Sequence, residues 1–192
     1  MLVPSTELEA INYMLATIGE SPVNSTEDTG VVDAELALQT LRDISRKVQT
    51  RGWHFNTEEN YTLTPTFNDG ELIVPANAVC VDTVGKDRDL DLVQRGSRMY
   101  DRVNHTYSFT DSVTVDMIVL LDFDELPQAA RSYIIVRASR IYQEHILGSS
   151  QLSAFSVQDE RVAYATLLNT EAKTGDYNML SDNFSVSNIL MR

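Results

Sequence analysis

The pattern of apolar residues changes period at one short block, Arg51-Gly52-Trp53-His54-Phe55-Asn56. Before it, Ala34, Ala37, Leu38, Leu41, Ile44 and Val48 recur at helical spacing. After it, Tyr61/Leu63, Leu72/Val74, Val79/Val81, Tyr107/Phe109 and Val113/Val115 alternate as half-buried strands do. Glycine behind a basic last turn is a helix stop. The block also carries the single tryptophan. A Trp-x-Phe pair there can drop two large rings into the junction between a helical layer and the strands that follow, so Trp53 and Phe55 are expected to be structural core.

The first helix is expected from about Ser5, with Leu8, Ile11, Met14, Leu15 and Ile18 on one face, a Thr6-x-x-Glu9 capping box and Gly19 as its stop. A second runs to Gly52. Asn68-Asp69-Gly70 and Gly96-Ser97 are tight-turn signals, the latter suited to a two-residue hairpin. Ile118 to Leu121 is a continuous apolar run that fits the most buried strand. Helices resume with Pro127 at a first helical position, and Ala130, Tyr133, Ile134, Arg137, Ala138, Ile141 and Tyr142 mark one face up to Gly148. Ser149-Ser150 caps a fourth helix with Leu152, Phe155, Val162 and Leu167, ending near Gly175, and so short a link makes the last two helices an antiparallel hairpin. The expected class is α+β: a four-helix bundle (residues 1–56 and 122–175) with an inserted antiparallel β domain (57–121) and an extended C-terminal arm (176–192). The arm scatters Tyr177, Met179, Leu180, Phe184, Val186, Ile189, Leu190 and Met191 among Ser, Asn and Asp. A frayed end is one reading of it. Eight apolar residues in so short an arm favour docking on another subunit or partner.

With 43% hydrophobic and 22% charged residues, the chain has an ordinary globular composition. Its net charge of −13 argues against nucleic-acid phosphates or anionic lipid as the main partner. No apolar stretch approaches a membrane span. No basic stretch precedes an apolar run near the start, so a secretory signal is not expected. The lone Cys80, between Val79 and Val81, reads as a small buried apolar residue in a reducing compartment. Charge is segregated along the chain. No Lys or Arg precedes Arg42, whereas Glu7, Glu9, Glu20, Glu27, Asp28, Asp33 and Glu35 all do; Arg42, Arg46, Lys47 and Arg51 then arrive together. That cluster is either a solvated helix face or a surface that meets the acidic end of another copy. Head-to-tail contacts of the second kind generate rings when the rotation closes.

Chemistry has little support. His54, His105 and His145 stand at no metal-ligand spacing. Asp87-Arg88-Asp89-Leu90-Asp91 imitates the start of a calcium loop, but Leu92 stands where glycine is needed and Arg98 where a bidentate Glu is needed. There is no phosphate-binding glycine loop and no nucleophile elbow. Glu58, Glu59, Asp122, Asp124 and Glu125 could supply an acid pair for polysaccharide hydrolysis if two of them faced each other across a cleft. Acids before a helix start also have a sufficient structural reason in the positive helix end. No catalytic residue, cofactor or metal is therefore assigned.

A series of motifs resembles the head-to-tail adaptor, or tail tubular protein A, family of short-tailed bacteriophages. Ala10-Ile11-Asn12 and Leu15 through Val23 are similar to that family's first helix and its Gly-Glu-x-Pro-Val exit. Arg51 to Asn56 is the hallmark, Tyr100-Asp101-Arg102 recurs in the sheet region, and Asp122 to Pro127 leads into Ala138-Ser139-Arg140. Tyr177-Asn178-Met179-Leu180 looks like the tail signature. The order and separations of these motifs are specific, with the main departure between Asn77 and Val93. The resemblance implies a structural virion protein at the head-tail junction, made in the bacterial cytoplasm. It further implies twelve copies in a ring below the portal protein, with tail nozzle and tail fibre proteins beneath or around it, an arm reaching the portal side, and genomic DNA passing through without specific binding. On that view Arg42, Arg46, Lys47 and Arg51 are candidate subunit-interface residues, and Tyr177, Met179, Leu180 and Phe184 candidate docking residues of the arm. A virion-associated polysaccharide hydrolase is the alternative, and an acidic cytosolic scaffold a third reading.

Overall fold

The computed structural model describes residues 6–26, 30–148 and 150–175, with side chains of the last helix described from Val157 onward. Among the described residues, four helices, α1 (Glu7–Ile18), α2 (Val32–Gln49), α3 (Gln128–Leu147) and α4 (Ser150–Thr174), bracket five strands: β1 (Thr57–Leu63), β2 (Ala78–Thr83), β3 (Leu92–Arg95), β4 (Arg98–Asp101) and β5 (Val113–Val119). The class is α+β. The chain divides into two compact units, one of residues 1–41 with 127–192 and one of residues 42–126.

In the first unit, Thr6 caps α1 by accepting the Glu9 N–H at 3.2 Å, and Gly19 ends it in the left-handed region. Ala10, Ile11, Met14 and Leu15 are its buried face. α3 packs on α1 and on α4. Its burial of Ala130, Tyr133, Ile134, Ile135, Ala138 and Tyr142 covers more than one helical stripe, as a helix with neighbours on several sides requires. Pro127 is the cap residue of α3, one position earlier than the spacing predicts; its ψ of 146° is extended, so the helix starts at Gln128. α3 and α4 run antiparallel, with Tyr133 against Tyr164 and Arg140 against Glu160. Arg140 also holds Glu144 within α3, and Arg137 reaches Glu160 at 3.5 Å, so two arginines of α3 converge on one glutamate of α4. Tyr142 donates its hydroxyl to the Asp33 carbonyl at 3.0 Å. Burial, then the negative charges of Asp33 and Glu20, push its pKa up to about 12.

In the second unit, β5 is the middle of an antiparallel sheet of order β1-β5-β2, while β3 and β4 form a separate hairpin closed by Gly96-Ser97, as the turn signal predicts. The Ile118–Leu121 run is not a strand of its own: Ile118 and Val119 end β5, and the chain then leaves the sheet. Val113, Val115, Met117 and Val119 alternate inward, joining Leu63, Leu72, Val74, Ala78 and Met99 in one core. Leu72/Val74 and Tyr107/Phe109 are not strands; isolated bridges (Pro65 with Leu72, Glu71 with Ser108) run there instead. Cys80 corrects the sequence reading. It is exposed: Cys80 lies opposite Ile118 in the ladder while Val81, opposite Met117, faces the core, and the register slips between Ala78 and Cys80, so Val79 does not set the phase.

The boundary between the two compact units falls inside α2, at Leu41/Arg42. Two buried amides tie the end of α2 to the sheet. Gln49, 2% exposed, donates to the Leu121 carbonyl at 3.1 Å and accepts the Leu121 N–H at 2.8 Å. Asn56, 1% exposed, accepts the Trp53 N–H and donates to the carbonyls of Gln49 and Val119. The Trp53 indole N–H donates to the Val48 carbonyl at 2.7 Å, so Trp53 and Asn56 each add a side-chain donor to a carbonyl that also accepts a backbone N–H of the closing turn. Gly52 sits at φ +72°, which selects glycine; a Cβ there would meet the end of the Ile118 side chain at 2.8 Å, a contact that side chain can relieve by moving.

Trp53 is buried at 8% exposure, but Phe55 is only half-buried, stacked parallel to Trp53 at 6.4 Å. The reason is the single 3₁₀ turn His54–Asn56: residues three apart share a side, so Trp53 and Asn56 point inward and Phe55 does not.

Replacing Asn56 by Ala is expected to destabilise the chain by about 3 kcal/mol, three hydrogen bonds at roughly 1 kcal/mol each. Replacing it by Asp should be worse, since a carboxylate cannot donate to either carbonyl; urea unfolding of the two variants checks the order. Neutral Tyr142 contributes stability that is complete below its ordinary pKa of 10.0 and is lost as pH rises through about 12. Alkaline unfolding followed by circular dichroism should accordingly be shallower for Tyr142→Phe than for the parent.

Candidate assembly surfaces

The last two turns of α2 turn Ile44, Ser45, Val48 and Gln49 inward and leave Arg42, Asp43, Arg46 and Lys47 exposed, with Arg51 exposed just beyond. All four basic side chains singled out from the sequence thus share the solvent side. Arg42 and Arg46 are one turn apart, a like-charge spacing that costs a few tenths of a kcal/mol in an isolated helix. Asp43 lies within i+3 and i+4 of Arg46 and Lys47 and offsets part of this. Arg51 also lies over Trp53, its guanidinium carbon 5.6 Å from the ring centroid, so the aromatic that closes the helix end also steadies a surface charge. Among the acids before Arg42, Glu9, Glu20 and Glu35 are exposed, Glu7 and Asp33 half-buried, and Glu27 and Asp28 lie outside the described residues. Val32 and Leu36, one turn apart on α2, are exposed as well. Tyr177, Met179, Leu180 and Phe184 lie outside the described residues.

None of the carboxylates considered for hydrolysis is buried. Glu58 and Glu59 are exposed on β1, while Asp122, Asp124 and Glu125 are exposed around a 3₁₀ turn whose buried members are Phe123 and Leu126. Among the described residues no group of His, Cys, Asp and Glu could hold a metal ion. The acids of the calcium-like stretch have structural work: Asp87 accepts the Thr114 N–H at 2.8 Å, and Asp91 pairs with Arg102 at 3.3 Å. His54, His105 and His145 are all exposed.

Asp101 explains the Tyr100-Asp101-Arg102 motif. Its carboxylate accepts the backbone N–H groups of Val103 and Asn104, each at 2.8 Å, and the Asn104 side-chain amide at 2.7 Å. These bonds, the Asn104 backbone first, hold its pKa below the ordinary value of 3.8 although burial opposes them. The carboxylate therefore pins the turn that follows β4. Sequence reasoning missed this role and those of Gln49 and Asn56; polar residues at the edge of an apolar pattern carry no period to reveal them.

An α+β scaffold thus carries an exposed basic face at the end of α2, with Glu9, Glu20 and Glu35 exposed in the segment before it. Residues 8–177 match the family described as tail tubular protein. Tail tubular protein A of Klebsiella phage KP34 is 30% identical over 156 residues, covering 81% of either chain. The chain belongs to the tail tubular protein family. It is a structural virion protein of a bacteriophage tail and not an enzyme, which removes both the hydrolase reading and that of a scaffold outside the particle.

The stability that Asp101 contributes is present above pH 3.8 and is lost as pH falls through its lowered folded-state pKa. Asp101→Asn should therefore be less stable than the parent near neutral pH, and the gap should close as pH drops below 3.8. Urea unfolding across that range checks it.

Proposed function

We propose that this chain is the repeating subunit of the adaptor ring at the head-tail junction, twelve copies joining the portal protein to the tail nozzle and supporting attachment of the tail fibres. The observation that carries the reading is the segregation of charge: an acidic stretch with no base before Arg42, then the exposed basic face of Arg42, Arg46, Lys47 and Arg51. Complementary side faces on one chain favour head-to-tail association, and membership of a tail family supplies the setting. In this reading the helices close as a four-helix bundle around which the β part is inserted, and the bundle carries the acidic face toward a neighbour's basic one. Repeated around a ring, a subunit of net charge −13 lines a conduit that repels phosphates, so the genome passes without specific binding.

The arm from Asp176 to Arg192 docks on the portal through Tyr177, Met179, Leu180 and Phe184. Its apolar burial contributes at roughly 25 cal/mol per Å². Deleting Asp176 to Arg192 should leave a chain with unchanged circular dichroism that no longer co-sediments with portal protein. Full-strength co-sedimentation of the truncated chain would remove the arm from the interface.

A further inference from the structure

Two cross-strand pairs of like charge stand on separate outer faces of the 42–126 unit, with opposite signs. On the β3–β4 hairpin, Arg95 and Arg98 are direct partners beside the turn. They face outward together with Tyr100, since Met99 between them enters the core. On the three-stranded sheet, Asp82 of β2 and Asp116 of β5 are direct partners and face outward, since Val81, Val115 and Met117 face the core. Like charges directly opposite one another destabilise a sheet.

Internal compensation is partial. Arg98 pairs with Glu71 and lies over the Tyr107 ring at 4.5 Å. Arg95 lies over the Tyr100 face, 3.7 Å from its guanidinium carbon to the centroid. Asp116 accepts the Asn60 N–H at 2.8 Å, and Asp82 accepts that of its own neighbour, Thr83. Among the described residues, Arg95, Asp82 and Asp116 have no ion-pair partner.

The arginine face also has the composition of a protein-binding surface. Tyr100 and Tyr107 meet at 4.8 Å, Ile73 bridges to Arg98 and is exposed, and Phe67 stands fully exposed on the adjoining turn. That turn is held by Thr66, which bonds Gly70 and Glu71, and by the Phe109 N–H to the Gly70 carbonyl at 2.8 Å. Arginine and large aromatics on a firm scaffold are the residues that anchor protein interfaces. A nucleic acid fits less well, because Glu71 and Asp91 already occupy Arg98 and Arg102.

We propose that the Arg95/Arg98/Tyr100 face of one copy docks on the Asp82/Asp116 face of the next copy, a second subunit contact beyond the one made by α2. Each face then relieves the other's repulsion, and because the two faces differ, the contact runs head to tail. The proposal rests on the ring reading and names a surface of that ring.

The test places cysteines at both faces, Asp82→Cys with Arg95→Cys on a Cys80→Ser background, in assembled particles. Oxidation is expected to give a ladder of multimers on a non-reducing gel, with neither single cysteine giving any. Absence of cross-links in particles that hold many copies overturns this surface and leaves the ring standing; a single copy per particle overturns both. Dimers from Arg95→Cys alone mean a two-fold contact and also overturn it. In solution, Arg95→Glu and Asp82→Lys should each weaken self-association on the order of tenfold, with the double exchange restoring it. Binding of duplex DNA that Arg95→Glu abolishes, without cross-links, assigns the face to nucleic acid instead.

Discussion

The buried amides of Gln49 and Asn56 hold the end of α2 against the exit of β5, and the arrangement of the 42–126 unit follows from them. A helix end and a strand end each leave backbone groups without partners, and burying these unpaired costs more than the bonds would return. Gln49 answers Leu121 with both a donor and an acceptor, as a neighbouring strand would. Asn56 answers Trp53, Gln49 and Val119 at once. The last turns of α2 therefore belong with the sheet, and the basic side chains they carry inherit the sheet's rigidity.

Much of this was legible in the sequence. The helices follow from periodicity, and Gly19, Gly52 and Gly148 supply left-handed backbone after the first three. The hairpin at Gly96-Ser97 follows from turn chemistry. The sheet core follows from alternation along β5. Misreadings came where local geometry overrode pattern: a 3₁₀ turn sent Phe55 outward and Asn56 inward, and a register slip in β2 left Cys80 on the outside although its neighbours suggest burial. The amide network was illegible because hydrogen bonds across more than sixty positions leave no local trace.

The candidate surfaces divide in the same way. The basic run from Arg42 to Arg51 is evident in the sequence and is exposed in the fold. The opposing pairs Arg95/Arg98 and Asp82/Asp116 appear only when register is known, since Asp82 and Asp116 are far apart in the chain and become neighbours only across β2 and β5. A surface of this kind is made by topology, and composition hides it within a strongly acidic average.

The irregularity in β1 has one more effect. Its ladder with β5 skips between Glu58 and Tyr61, and Asn60 there takes a positive φ of 54°. That kink, with the carboxylates of Glu58 and Glu59 beside it, spoils the rim of the sheet as a template for a foreign strand. Chains crowded together during synthesis are thus kept from fusing backbone to backbone, and recognition between them is left to side chains, which can be released or reordered as a particle is built.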